Sequence, residues 1–172
     1  MKKAVDNLCV YDPEFSGYAE AFLSDLGGSS ATAAVTSIED LKAALEEHAL
    51  VKYVEVCLHG SPGTIWFANN GVMVGKYFGN LTTNAGTLQR NARVLFLSCK
   101  IAEGEIGDEF MNKLAQTMLV GKGGTIGATT VENSVYFPRF SFAKGAFMQS
   151  GGVLKVRRYD AGGNQIGERF VR

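Results

Sequence analysis

Residues 92–98, Ala-Arg-Val-Leu-Phe-Leu-Ser, are apolar at nearly every position. A strand with one wet face alternates apolar and polar side chains. A near-continuous run belongs to a central parallel strand covered on both faces. Parallel neighbours need crossover connections, which are usually helical. The chain supplies them. Residues 4–12 read as a first strand ending at Asp12, and residues 12–28 as a helix with Asp12 at the N-cap and Pro13 in the first turn. In that helix Phe15, Tyr18, Ala19, Phe22, Leu23 and Leu26 recur at helical spacing, and Gly27-Gly28 ends the run.

Residues 31–35 form a weak second strand. Ser37 with Asp40 resembles a capping box, opening a helix with Leu41, Ala44 and Leu45 on one face. Residues 50–58 are a third strand, and residues 64–75 read as a hairpin around Asn70-Gly71. A polar stretch, residues 79–91, has room for a short helix. Residues 106–118 form an amphipathic helix with Ile106, Phe110, Leu114 and Met118 on its buried stripe. "GTIGAT" is a further strand, and residues 153–171 read as a hairpin turning at Gly162-Gly163-Asn164. The alternation predicts an α/β domain with a mostly parallel central sheet, helices on both faces and a C-terminal β-hairpin. With no repeat and no long linker, residues 1–172 are expected to form a single domain.

Composition narrows the partners. Lysine plus arginine equals aspartate plus glutamate at 17 each, so no global field favours nucleic acid or an anionic membrane. Lys155, Arg157 and Arg158 cluster near the end and read as a solvated strand face. A switch by a small anion such as an inositol phosphate is a weaker reading of that cluster, because strand alternation sends Arg157 and Arg158 to opposite faces. Asp6 and Asn7 interrupt the first apolar stretch, so no secretory signal is expected, and no apolar run has bilayer length. Cys9, Cys57 and Cys99 are too few for a disulfide scaffold, and with two histidines in the chain a zinc site is poorly supported. A reducing, cytoplasmic setting is the default, or a secreted or surface one if the domain belongs to a larger exported chain.

In a parallel sheet, chemistry collects at the carboxyl ends of the strands. His59 follows the third strand, and Cys99 follows residues 92–98. If those strands are neighbours, both side chains emerge at one edge. A thiolate is a strong nucleophile, and a nearby imidazole can take the thiol proton during attack. The backbone N–H groups of Gly60 and Cys99 are the candidate oxyanion donors. Plainer readings stand beside these. A strand-end His-Gly also suits a turn, and a cysteine also suits a core. Cys9 and Cys57, inside strands, read as core filler. His48 reads as a helix C-terminal partner or a surface residue. "GKGGTIG" lacks the Lys-Ser/Thr ending of a phosphate loop and precedes a strand, so it reads as a turn.

The segment "HGSPG", followed forty residues after its histidine by "SCKIAEGEIGDEFMNKLA", resembles a bacterial family of caspase-like domains. Members are often described only as domains of unknown function within large surface or secreted proteins. The family looks related to the caspase–gingipain–separase group of cysteine peptidases. The resemblance covers residues 4–130 in order of elements, and its specific motifs lie at the two strand ends and in the helix after Cys99. It implies a caspase-like α/β sandwich with Cys99 as nucleophile, His59 as general base or acid, and Gly60 in the oxyanion hole.

The expected function is that of a cysteine endopeptidase acting on polypeptides through a thioester, with no cofactor and no metal. The alternative is a catalytically silent binding or assembly module on the same scaffold. Asp12, Glu103 and Glu105, at or near the active edge, are candidate substrate-binding carboxylates that would favour a basic residue before the scissile bond. Against that, Asp12 also suits a helix cap and the two glutamates a solvated surface.

Overall fold

The computed structural model describes residues 1–26, 28–67, 70–73, 86–130 and 154–171. The chain enters through a two-residue strand, β1 (Lys3–Ala4), and then β2 (Asn7–Tyr11). A 3-10 turn, Pro13–Phe15, follows, capped by the Asp12 carboxylate on Glu14 N–H, and leads into α1 (Ser16–Asp25). Helix α1 closes at Leu26, and Gly28 has a positive φ of 87°. Next come β3 (Ser30–Ala34) and α2 (Ile38–Glu47). The Ser37 hydroxyl caps α2 by accepting from Asp40 N–H. Asp40 bonds back to Thr36 N–H and its hydroxyl, which closes the cap one residue earlier than the usual box.

Short β4 (His48–Ala49) pairs with β1, and β5 (Val51–Cys57) runs into the core. Strands β6 (His59–Ser61), β7 (Thr64–Phe67) and β8 (Asn70–Met73) form a separate antiparallel sheet. Then follow β9 (Leu88–Leu97), α3 (Gly104–Met118), β10 (Gly124–Thr129), β11 (Leu154–Tyr159) and β12 (Gln165–Val171).

The main sheet has the order β12-β11-β10-β9-β5-β2-β3. Strands β10, β9, β5, β2 and β3 are mutually parallel, while β11 and β12 extend the sheet antiparallel. The architecture is mixed α/β with a mostly parallel central sheet. Side chains alternate between its faces, as the pleat requires. Leu8, Val10, Val54, Val56, Val94 and Phe96 join α2 and α3 in one core. Cys9, Tyr53, Cys57, Leu95 and Leu97 join Ala19 and Phe22 of α1 in another. Helices therefore cover both faces. Phe96 meets Phe110 of α3 edge to face at 5.2 Å, a contact whose removal by Phe110→Ala would cost about 3–5 kcal/mol.

One core position is acidic. Glu55 is wholly buried on the α1 face, between Tyr53 and Cys57. It accepts from the Tyr53 hydroxyl at 2.8 Å and from the Cys57 thiol at 3.6 Å. Burial pushes its carboxyl up to about 8, and the hydrogen bonds from Tyr53, Cys57 and Tyr18 only partly oppose that rise.

Several sequence expectations shift. Leu23 and Ile106 are exposed despite their helical register: α1 buries Ala19 and Phe22, which leaves Leu23 on the flank of its stripe, and Ile106 stands in the first turn of α3, ahead of the buried Gly107 and Phe110. Asn70 and Gly71 lie inside β8, paired with Phe67 and Trp66, and so are not the centre of a turn; residues 68–69 lie outside the described residues. Strand β9 starts at Leu88, which takes residues 88–91 out of the expected short helix; residues 74–85 lie outside the described residues. His48 is buried and donates from Nδ1 to Ala44 O at 2.7 Å, so it is the helix C-terminal partner and not a surface residue.

Candidate functional site

The parallel strands deliver their following residues to one edge. Asp12 follows β2, His59 lies just past β5, and Cys99 lies just past β9. Strands β2, β5 and β9 are consecutive neighbours. The last registered pair between β5 and β9 is Cys57↔Leu97, and His59 and Cys99 each stand two residues beyond it. Parallel neighbours run about 4.8 Å apart, so the register brings these two residues to equivalent places at the end of adjacent central strands. Both are partly exposed, whereas Cys9 and Cys57 are buried. That burial agrees with core filler for those two thiols, and desolvation pushes the Cys57 thiol up.

Each side of the edge is fixed by backbone packing. A Cβ on Gly60 would meet Ser98 Cβ at 2.7 Å and the carbonyl oxygens of Cys99 and Thr64 at 3.2 Å. Glycine is needed there because β6 lies directly on the segment that carries Cys99. At the β6–β7 turn Gly63 N–H donates to Ile101 O at 3.0 Å. Gly63 has φ of 65°, and a Cβ on it would strike Ile106. Residues 98–101 make a tight turn in which Lys100 adopts a left-handed φ of 52°, followed by Glu103 N–H donating to Lys100 O at 2.8 Å. Left-handed backbone in a residue other than glycine is uncommon and is held here by its surroundings. The Ser98 hydroxyl is buried with no hydrogen-bond partner among the described residues.

His59 is oriented from the other side. Its Nε2 lies 2.8 Å from Glu14 Oε2, and its ring packs on Phe15 with centroids 4.8 Å apart. Both contacts come from the 3-10 turn after β2, where Asp12 anchors the chain by donating its N–H to Cys57 O at 3.0 Å. With Nε2 on a carboxylate, Nδ1 is the ring nitrogen left for proton transfer. Trp66 stands across from His59 in the β6–β7 pair and is exposed, with its indole N–H donating to Ser61 Oγ at 3.3 Å.

Of the three candidate carboxylates, Asp12 is wholly buried and caps the 3-10 turn through Glu14 N–H at 3.0 Å. Glu103 is the exposed N-cap residue of α3, and Glu105 lies exposed in its first turn. All three sit near the edge, but the geometry does not gather them into one cluster. No group of three or more histidine, cysteine, aspartate or glutamate side chains is arranged to hold a metal among the described residues.

The basic cluster of β11 is not a solvated face. Lys155 and Arg157 are buried, and only Arg158 of the three is exposed. Lys155 Nζ reaches Asp108 Oδ1 at 2.6 Å and Ala102 O at 3.1 Å; Arg157 bonds Asp108 Oδ1 at 2.8 Å and Glu168 Oε2 at 2.6 Å. Partial burial raises the Asp108 carboxyl, but the two cations more than offset it and hold it below the ordinary carboxylate range. The charges are internally matched, which removes the basis for the small-anion switch.

Glu14 carried no sequence signal beyond its place two residues after a strand-ending aspartate. Its role depends on β2 and β5 being neighbours. No helix among the described residues is long and apolar enough to cross a membrane.

The fold and the edge together define a mixed α/β domain with a partly exposed cysteine and a carboxylate-bound histidine past the ends of adjacent central strands. The chain belongs to the family described as Domain of unknown function (DUF4347), whose match covers residues 29–123 and so includes His59, Gly60 and Cys99. Neither a search of curated proteins nor a search of solved structures finds a match to the chain.

Proposed function

We propose that the protein is a cysteine endopeptidase with a caspase-like sandwich architecture and a terminal β-hairpin, using Cys99 and His59 as its dyad. The observation that carries this reading is the β5–β9 register, which sets His59 and Cys99 at equivalent positions past neighbouring strands. The hydrogen bond that His59 Nε2 donates to Glu14 supports it further, since a carboxylate on one ring nitrogen orients the other and favours the imidazolium formed during proton transfer.

In the proposed reaction His59 takes the Cys99 thiol proton as sulfur attacks the carbonyl carbon of a peptide. A C–S bond forms and the carbonyl π pair moves onto oxygen, facing the N–H groups of Gly60 and Cys99. The oxyanion then collapses, the C–N bond breaks, and His59 gives its proton to the departing amine. Water, deprotonated by His59, next attacks the thioester; the C–S bond breaks, the new acid leaves, and the thiol is restored. Asp12, Glu103 and Glu105 are the proposed substrate-side carboxylates. No cofactor takes part.

The test is cleavage of a fluorogenic peptide library by the protein and by Cys99→Ala. Cleavage that disappears in the variant at unchanged melting temperature supports the reading. Cleavage unaffected by the variant, or none with any peptide, overturns it and favours a silent binding or assembly module.

A further inference from the structure

Thr129 is the last residue of β10 and is wholly buried. Strand β10 is the other parallel neighbour of β9, with Ala128 registered on Phe96, so Thr129 stands level with the start of the turn that carries Cys99. It holds both ends of that turn. Its hydroxyl donates to Ser98 O, and its own carbonyl accepts from Ala102 N–H at 2.9 Å. Ser98 O also receives Ile101 N–H, at the longer distance of 3.4 Å. The Ser98 hydroxyl has no hydrogen-bond partner among the described residues, so the bond observed at Ser98 is made through its carbonyl. Gly63 N–H on Ile101 O and Lys155 Nζ on Ala102 O secure the far half, and the Thr129 hydroxyl ties the carbonyl that immediately precedes Cys99.

We infer that Thr129 is a positioning residue for Cys99: its hydroxyl clasps Ser98 O and thereby sets where the thiol stands relative to His59. This rests on Cys99 being the nucleophile. A residue that merely filled a buried strand position would be replaced well by valine, which has the same shape and high strand preference. The clasp needs the hydroxyl. Without it Ser98 O loses that bond, the turn relaxes, and a displacement of well under an ångström to about 1 Å is enough to lower reactivity strongly.

The experiment measures the rate of iodoacetamide labelling at Cys99 in the full chain, by peptide mass mapping. The proteins compared are wild type, Thr129→Val, Thr129→Ser, Thr129→Ala, His59→Ala, and the His59→Ala/Thr129→Val double variant. Thr129→Val is expected to slow Cys99 labelling by about tenfold, with Cys9 and Cys57 still protected. Thr129→Ser is expected to stay within about twofold of wild type, and in the double variant the two effects should not add, since both act on one contact. Wild-type labelling in Thr129→Val, or equal loss in Thr129→Ser, overturns the inference. If Thr129→Val fails to fold, Thr129→Ala takes its place; failure of both assigns Thr129 to the core at large and also overturns it. The two readings separate cleanly. Sensitivity to Thr129 without sensitivity to His59 keeps the clasp and removes the dyad, and the reverse keeps the dyad and removes the clasp.

Discussion

The Nε2 atom of His59 lies 2.8 Å from Oε2 of Glu14, although 45 residues separate them in sequence. The link exists because β2 and β5 are parallel neighbours, so the 3-10 turn after one strand folds over the residue that follows the other. Both side chains are substantially exposed, at 40% and 68%. Exposed ion pairs contribute at most about 1 kcal/mol. Glu14→Gln should therefore lower peptide cleavage by only about two- to fivefold while leaving the melting temperature unchanged. A loss as large as that of His59→Ala would mean that Glu14 has a direct part in the chemistry, and no loss would mean that Phe15 alone orients the ring.

Gly60→Ala should be costly for a packing reason. The added methyl would press on Ser98 Cβ and on two carbonyl oxygens, and backbone cannot yield as a flexible side chain can. We expect a destabilisation of about 1–3 kcal/mol in urea unfolding, typical of overpacking, together with altered Cys99 labelling. An unchanged unfolding midpoint would show that β6 lifts away from β9 without penalty.

Glu55 makes stability depend on pH. Burial raises its carboxyl from 4.5 to about 8 in the folded protein. Between those values the folded state keeps a proton that the unfolded chain has released. Stability is then fully present below about 4.5, declines as pH rises through the window, and levels off above about 8. The slope approaches about 1.4 kcal/mol per pH unit for one proton. Glu55→Gln keeps an acceptor for Tyr53 and removes the titration, so its unfolding midpoint should exceed that of wild type at pH 9 and vary less between pH 5 and 9. Parallel pH profiles for the two proteins would mean that Glu55 is not held protonated.

The elements were readable because their signals are local. Apolar runs at residues 50–58 and 92–98 gave β5 and β9, and Ser37 with Asp40 gave the start of α2. The same runs put His59 and Cys99 just past strand ends, but that the two strands are neighbours is a condition of the sequence reading and comes from the sheet order. What escaped depends on partners far away in sequence. Lys155 and Arg157 look like surface charge until Asp108, 47 residues earlier, is brought beneath them. Glu55 stands inside the strand of residues 50–58, and its burial shows only once α1 closes over it with Tyr18. Ile106 obeys helical period, yet the period says nothing of where the covering layer ends, and Ile106 falls beyond it, against Gly63. Thr129 and Glu14 belong to this second kind, since neither residue type nor spacing announces a clasp across strands.

Substrate choice is expected to favour a basic residue before the scissile bond. Asp12, Glu103 and Glu105 place negative charge near the edge, and a carboxylate pairs with arginine in bidentate geometry. Asp12 already caps a turn, so a rim effect from the two exposed glutamates is the more accessible source of the preference. Profiling a peptide library with wild type and with Glu103→Gln/Glu105→Gln separates the two. A preference that survives the double variant points to Asp12, and a preference for acidic or apolar residues removes the prediction.

Cys99 should be the fastest of the three cysteines to react with an electrophile near neutral pH. Access is the first reason: Cys99 is partly exposed at the open end of β9, whereas Cys9 and Cys57 are sealed in the core under α1. Desolvation is the second, because burial pushes the Cys57 thiol well above its ordinary value, which suppresses its thiolate. Limited iodoacetamide followed by peptide mapping ranks the sites. His59→Ala should slow labelling at Cys99 alone and leave the other two protected, since the fold does not rest on the exposed imidazole. Exposure without assistance predicts something different: modest labelling at Cys99 that ignores His59. That outcome would dissolve the dyad and leave a scaffold whose open cysteine has no base beside it. If labelling does depend on His59, Cys99→Ala must also abolish cleavage at an unchanged melting temperature, because a reactive thiol that is not the nucleophile would be labelled just as fast and leave peptide turnover intact.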